Sequence, residues 1–126
     1  MSVSNISDVE TLRQLNIGNE TNESEAEKSM RFLGTFNQCV HGMVNFMGQT
    51  PWELHPDDEY LQIIDGSVEV IFIAKDNTVN LSAGDVFIVP KETWHRQFSE
   101  HGVKLIFITS SEGNKHSTEE NPVKQK

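Results

Sequence analysis

Residues 48–66 constrain the fold of this 126-residue chain more than any other stretch, because they combine strand-like segments with strong turn signals. Glu53 and His55 stand two residues apart, and side chains at positions i and i+2 of a β-strand point to the same face. Pro56 cannot donate to a strand ladder, so the chain bends after them. Glu59 can then return to that face, which predicts three candidate ligands around one cavity.

A second stretch of the same kind begins at Gly84. A short apolar strand is predicted over 86–89, Pro90 ends it, and His95 opens the next strand. The two stretches together supply two imidazoles and two carboxylates. Nitrogen and oxygen donors of this kind suit a divalent first-row metal, and two histidines with one carboxylate form the ligand set of many non-haem iron sites.

The spacing of the first stretch resembles the first motif of the cupin superfamily. His55 is followed by Glu59 after three residues and by Gly66 after six more, as in the family. Glu53 is a departure, because it stands where the family usually has a histidine. Gly48 also lies one residue closer to that position than the family pattern has it.

The second stretch resembles the second cupin motif, in which Gly84, Pro90 and His95 match and Glu92 replaces an inner glycine. The sequence around both motifs is similar to that of a subgroup of small bacterial cupins in which glutamate is common at the first ligand position. The resemblance covers about residues 30–110. It implies a single-domain jelly-roll barrel, also called a double-stranded β-helix, but it leaves the chemistry open because one fold hosts many activities.

Evenly spaced short strands argue independently for an all-β barrel or double sheet. Gly66 is expected to supply a turn between two of them, and residues 75–77 another. The predicted strands cover residues 31–36, 39–47, 60–65, 67–74, 78–81, 86–89, 95–98 and 103–109.

Both ends of the chain are polar, and we place them outside the barrel. The N-terminal segment, residues 1–28, contains a capping-box sequence at Ser7 that predicts a short helix. Its acidic part, residues 18–28, is expected to be loosely ordered. Residues 111–126 are expected to form a flexible polar tail, which leaves residues 29–110 as the barrel domain.

The charge of the chain restricts its partners. Nineteen acidic and ten basic side chains give a formal net charge of −9, which argues against nucleic acid and against anionic membrane surfaces as partners. No apolar run approaches the roughly 20 residues of a membrane span. Cys39 is the single cysteine, so no intramolecular disulfide is possible and we expect a cytoplasmic protein.

The predicted metal ligands are His55, Glu59, His95 and Glu53. The two histidines could instead be hydrogen-bonded core residues. Glu53 could be a ligand, a partner that orients an imidazole, a general base or an exposed strand residue. Two bound glutamates would neutralise a divalent ion, which favours Fe(II) or Mn(II), with Zn or Ni as alternatives.

Four further side chains are candidates for the substrate pocket. By strand alternation Gln97 shares the face of the second-motif histidine. Trp52 and Trp94 precede the ligand residues and could stack on a ligand or pack at the barrel mouth. Met43 could line the pocket or the core, and His116 is expected at the surface.

Three functions remain open on the sequence. The first is a metal-dependent enzyme, such as an oxygenase, isomerase or lyase, acting on a small oxygenated molecule. The second is a non-catalytic binding or sensing module for such a molecule, and the third is a metal-free barrel. The short strand predicted over 31–36 could add to a partner's sheet, so we also expect a homodimer.

Overall fold

The computed structural model describes residues 3–18, 23–73 and 77–124. Within them, nine β-strands form one sheet that curls into a barrel open on one side, so the all-β prediction is confirmed. The elements are a 3-10 helix at Ile6–Thr11, β1 (Leu15–Ile17), α1 (Glu23–Ser29), β2 (Met30–Phe36), β3 (Cys39–Gln49), β4 (Trp52–Leu54), β5 (Glu59–Phe72), β6 (Thr78–Ser82), β7 (Val86–Val89), β8 (His95–Ser110), β9 (Lys115–Ser117) and a 3-10 turn at Pro122–Lys124.

The long strands β5 and β8 form the frame of the barrel, pairing antiparallel with each other, while β8 also pairs with β3 and β4. Both strands bend at one level, where Gly66 and Gly102 have φ angles of 81° and 118°. A Cβ atom on Gly66 would collide with the carbonyl oxygen of Gly102. The bend folds the sheet over, so that Glu59 at the start of β5 comes close to His95 at the start of β8.

The predicted turn at Gly66 is therefore wrong. The segments 60–65 and 67–74 belong mostly to the single strand β5, and the segments 95–98 and 103–109 belong to β8. A glycine in a strand-like sequence signals either a turn or a bulge, and only the pairing partners decide between them. The predicted turn at 75–77 lies largely outside the described residues, which resume at residue 77.

Two apolar clusters pack on opposite faces of the sheet, because alternate side chains of a strand point to opposite sides. The smaller cluster joins Val9 of the N-terminal 3-10 helix to Met43 and Ile106. The larger cluster fills the inside of the barrel with Phe46, Leu61, Ile63, Val68, Val70, Phe72, Leu81, Val89, Val103 and Leu105.

The N-terminal segment is more ordered than the sequence suggested. The helix has its capping box at Asn5 and Asp8, and not at Ser7, because the Asn5 side chain accepts from the Ser7 amide at 2.9 Å. Residues 23–29 form α1, which includes much of the stretch 18–28 where we expected loose order. Residues 19–22 lie outside the described part of the chain.

The C-terminal segment also differs from the expected flexible tail. Residues 115–117 form β9, which pairs antiparallel with β4. This part of the segment therefore lies beside the strand that carries Glu53, and the flexibility of the tail stays a prediction. Within the described residues, no helix is both long and apolar enough to cross a membrane.

Candidate metal centre

Glu53, His55 and His95 converge on one point inside the barrel. Glu53 lies in β4 directly opposite His95 in β8, and His55 follows β4 by one residue. One donor atom from each of the three lies within 4.8 Å of the donor atoms of the other two. His55 is 4% exposed and His95 is 1% exposed, so the predicted i, i+2 geometry places these groups in a water-poor site.

Glu59 lies beside this group and is also buried. Its Oε1 is 3.1 Å from Nε2 of His95 and 3.8 Å from Nε2 of His55. The group defined by mutual donor distances contains Glu53 and omits Glu59. The structure thus brings all four predicted residues together, with Glu59 in contact with the ring nitrogens and Glu53 opposite His95 in the strand pairing.

Hydrogen bonds at Nδ1 fix the orientation of both imidazoles. Nδ1 of His95 donates to the carbonyl oxygen of Thr93 at 3.0 Å. Nδ1 of His55 lies 2.7 Å from Oδ1 of Asn114, whose own Nδ2 donates to the carbonyl oxygen of Ser110. Because these oxygens accept, both Nδ1 atoms carry a proton, and both Nε2 atoms face the site.

Nε2 of His55 is the donor atom whose surroundings most favour a bound cation. It is fully buried and has no hydrogen-bond partner among the described residues. An unpaired buried polar atom costs roughly 1–3 kcal/mol. A histidine that donates through one nitrogen and presents the other is the usual arrangement of a metal-bound imidazole, so the donor set fits a divalent cation.

The charge of Glu59 acts on His95. Burial alone would lower the pKa of His95, but the hydrogen bond and the negative charge of Glu59 outweigh it, and the pKa is raised. Nε2 of His95 lies 3.1 Å from Oε1 of Glu59, within hydrogen-bond distance. A bound divalent cation would replace this contact with its own positive charge.

A cavity of about 280 Å³ opens next to these groups. Its walls are largely apolar, and Gln97 is among the residues that line it. Its polar lining consists of Thr50, Glu53, His55, Glu59, Gln97, Thr109, Asn114 and His116, and its apolar lining of Leu15, Ile17, Met30, Val44, Phe46, Leu61, Leu105 and Phe107.

Three residues that we predicted for the pocket, Trp52, Trp94 and Met43, are not among the residues that line this cavity. Trp52 precedes Glu53 in β4, so its side chain points to the opposite face, where the guanidinium of Arg96 lies 4.3 Å from the ring centroid. Met43 packs in the smaller core cluster, because successive side chains of β3 point to opposite faces of the sheet. Trp94 is half-buried and is also absent from the cavity wall.

Sequence reasoning missed two residues of the C-terminal segment, Asn114 and His116. Nε2 of His116 lies 3.4 Å from Oε2 of Glu53 at the cavity mouth, and this contact raises the pKa of His116 despite partial burial. The missed signal was their i, i+2 spacing, which matches that of Glu53 and His55. The residues around them are polar, so no alternation of apolar and polar side chains identified this segment as a strand.

Comparisons with known proteins agree with this geometry. The family described as the Cupin domain matches residues 42–109. Uncharacterized protein YdbB of Bacillus subtilis (strain 168) is 36% identical over 83 residues, which are 65% of this chain and 70% of that protein.

Solved structures show the same fold. A cupin-2 domain containing protein from Shewanella frigidimarina is 25% identical, with a TM-score of 0.58 over 65% of this chain and 79% of its own. Protein NMB1881 from Neisseria meningitidis is 20% identical, with a TM-score of 0.68 over 87% of this chain and 100% of its own.

The fold and the site thus define a small β-barrel protein with a histidine and carboxylate donor set inside the barrel. The chain belongs to the cupin family, as its two motifs suggested.

Proposed function

We propose that the barrel holds one divalent cation between Glu53, His55 and His95, with Glu59 as a further donor. The observation that carries the proposal is the unpartnered, buried Nε2 of His55, which points into a group of donors within 4.8 Å of one another. Two carboxylates and two imidazoles favour Fe(II) or Mn(II) over Zn or Ni. The thiol of Cys39 lies elsewhere, where burial raises its pKa.

The ligand of the cavity is a small, oxygenated and uncharged molecule. None of the lining residues that the structure describes is lysine or arginine, while Glu53 and Glu59 both face the cavity. An anionic ligand would meet two carboxylates and no lysine or arginine side chain in this lining. The apolar walls, with Phe46 and Phe107 among them, suit a hydrocarbon or aromatic body.

Catalysis on such a ligand is the function that we favour. A bound cation would supply Lewis acidity for an oxygen of the ligand. Glu53 is the candidate general base if it is not itself a metal ligand, since His116 holds one of its oxygens at 3.4 Å. The other carboxylate oxygen could then take a proton from the ligand. Oxygenase, isomerase and lyase chemistry all fit this arrangement.

The competing proposal is a non-catalytic binding or sensing module that uses the same cavity. Turnover of metal-loaded protein against ketones, oxo-acids and catechols separates the two. We expect neutral ketones or phenols to be consumed by the metal-loaded wild type, and the His55→Ala, His95→Ala variant to lose both the metal and the turnover. Binding of these compounds without any turnover would replace the enzyme proposal with the binding module.

We also propose a homodimer in which β2 is part of the interface. This strand pairs with β3 on one side only within the described residues, and it exposes Phe32 and Phe36. The expected cytoplasmic location stays a proposal, supported by the single, unpaired Cys39.

A further inference from the structure

The contact between the C-terminal segment and the first motif has a consequence for the metal centre. Asn114 is separated from His55 by 59 positions in the chain, yet its Oδ1 lies 2.7 Å from the ring nitrogen Nδ1. This contact is part-buried. Among the described residues, it is the one hydrogen bond that the His55 ring makes. The opposite nitrogen, Nε2, is the one that faces the other donors.

The amide of Asn114 is itself held in a single orientation. Its Nδ2 donates to the carbonyl oxygen of Ser110 at 2.8 Å, which leaves Oδ1 to accept from His55. A flipped amide would present an N–H group to the ring and would lose the bond to Ser110. The orientation therefore selects the tautomer of His55 that carries its proton on Nδ1.

The backbone around Asn114 is fixed on both sides. Before it, the amide and hydroxyl of Ser111 donate to the carbonyl oxygen of Gln38 at 3.1 and 2.7 Å. After it, β9 pairs with β4, with His116 opposite Glu53. Asn114 thus lies between two anchors, and one of them is the strand that carries Glu53.

We propose that Asn114 is a positioning residue that holds His55 in the Nδ1-protonated tautomer, so that the C-terminal segment sets the metal affinity of the barrel. The inference rests on the proposed metal site. An imidazole without a partner at Nδ1 can place its proton on either nitrogen, and the Nε2-protonated form cannot bind a cation there. Partners of this kind typically change metal affinity by about 10–100-fold.

Two variants of the full-length protein test the role. Asn114→Leu keeps the approximate size and removes the acceptor, so we expect it to weaken Mn(II) and Zn(II) binding by about 10–100-fold. Asn114→Asp keeps an acceptor for Nδ1 of His55 but loses the donor to the Ser110 carbonyl, so it should retain more of the affinity than Asn114→Leu. Lys115→Ala, at an exposed position of β9, is the matched control and should bind metal like the wild type.

A second readout separates positioning from a merely structural role. Long-range ¹H–¹⁵N NMR of the metal-free protein reports which ring nitrogen of His55 carries the proton. We expect Nδ1–H in the wild type, Lys115→Ala and Asn114→Asp, and a mixture with Nε2–H in Asn114→Leu. Thermal unfolding of each variant shows that the comparison is made between folded proteins.

The outcomes are distinguishable from those of the metal proposal. An Asn114→Leu protein with wild-type metal affinity, or one that loses metal with the tautomer unchanged, would overturn the positioning role. If the wild type bound no metal at all, the proposed site would be wrong. The tautomer of His55 in the metal-free variants would still decide whether Asn114 controls the ring.

Discussion

The amide of Glu92 donates a hydrogen bond of 2.8 Å to the carbonyl oxygen of His55, which ties the turn of the second motif to the end of the first. Glu92 adopts a φ of 56°, in the left-handed region that favours glycine. The cupin motif usually has glycine at this position. In this chain the turn that precedes His95 places a left-handed residue beside His55.

Glu92→Gly should therefore stabilise the protein. A non-glycine residue in the left-handed region costs roughly 1–2 kcal/mol, and the greater freedom of glycine in the unfolded chain offsets part of this, so we expect a gain of about 0.5–1 kcal/mol. Denaturant unfolding measures the change. Lys91→Gly, one residue earlier and outside the left-handed region, is the control and should be slightly destabilising. A less stable Glu92→Gly protein would contradict the strain argument.

Much of the site could be predicted from the sequence, because strand alternation and turn chemistry act locally. The i, i+2 spacing of Glu53 and His55 was enough to place both on one face, and the Pro56 bend was enough to return Glu59. The contribution of Asn114 could not be predicted in the same way. It depends on a pairing between β9 and β4 across about 60 positions, and a short polar strand has no hydrophobic pattern that reveals its partner.

The position of Met43 shows the limit of alternation without a known register. Its strand has apolar residues on both faces, so the sequence left open which face lines the cavity. Met43 is 1% exposed and packs with Val9 and Ile106. We expect Met43→Ala to lower the free energy of unfolding by about 2–5 kcal/mol, while metal affinity stays at the wild-type value.

Calorimetric titration of the folded Met43→Ala protein checks the second half of this prediction, with Met43→Leu as a milder variant. Loss of metal affinity in Met43→Leu without loss of stability would place Met43 at the cavity and contradict the structure.

The exposed aromatic side chains of β2 predict the effect of an interface mutation. Phe32 is 65% exposed and Phe36 is 59% exposed in the single chain. Phe32→Asp should convert a dimer into a monomer, because a carboxylate in an apolar interface has no partner. Light scattering at micromolar concentration measures the mass. Val86→Asp, at a position on β7 that is 55% exposed, is the control and should leave the mass unchanged. A monomeric wild type would contradict the dimer.

Lys104 predicts a pH dependence in the alkaline range. Its Nζ lies 2.7 Å from Oε2 of Glu10, and this hydrogen bond raises the pKa of Lys104. A raised pKa in the folded state means that the contribution is complete below the unfolded pKa, about 10.4, and is lost as the pH rises through the folded pKa. Glu10→Gln should cost about 0.2–1 kcal/mol at pH 8, and this cost should shrink as the pH rises through the folded-state pKa of Lys104.

The comparison uses unfolding curves of both proteins at each pH, so that effects common to the whole chain cancel. A difference between wild type and Glu10→Gln that grew with alkaline pH would contradict the assigned ion pair.

Metal titration of the purified, metal-free protein tests the proposed cation site most directly. We expect one Fe(II) or Mn(II) per chain in the wild type and none in the His55→Ala, His95→Ala double variant. His101→Ala, at an exposed surface position, is the control and should bind like the wild type. A double variant with full occupancy, or a wild type that bound none of iron, manganese, nickel and zinc, would contradict the proposed site.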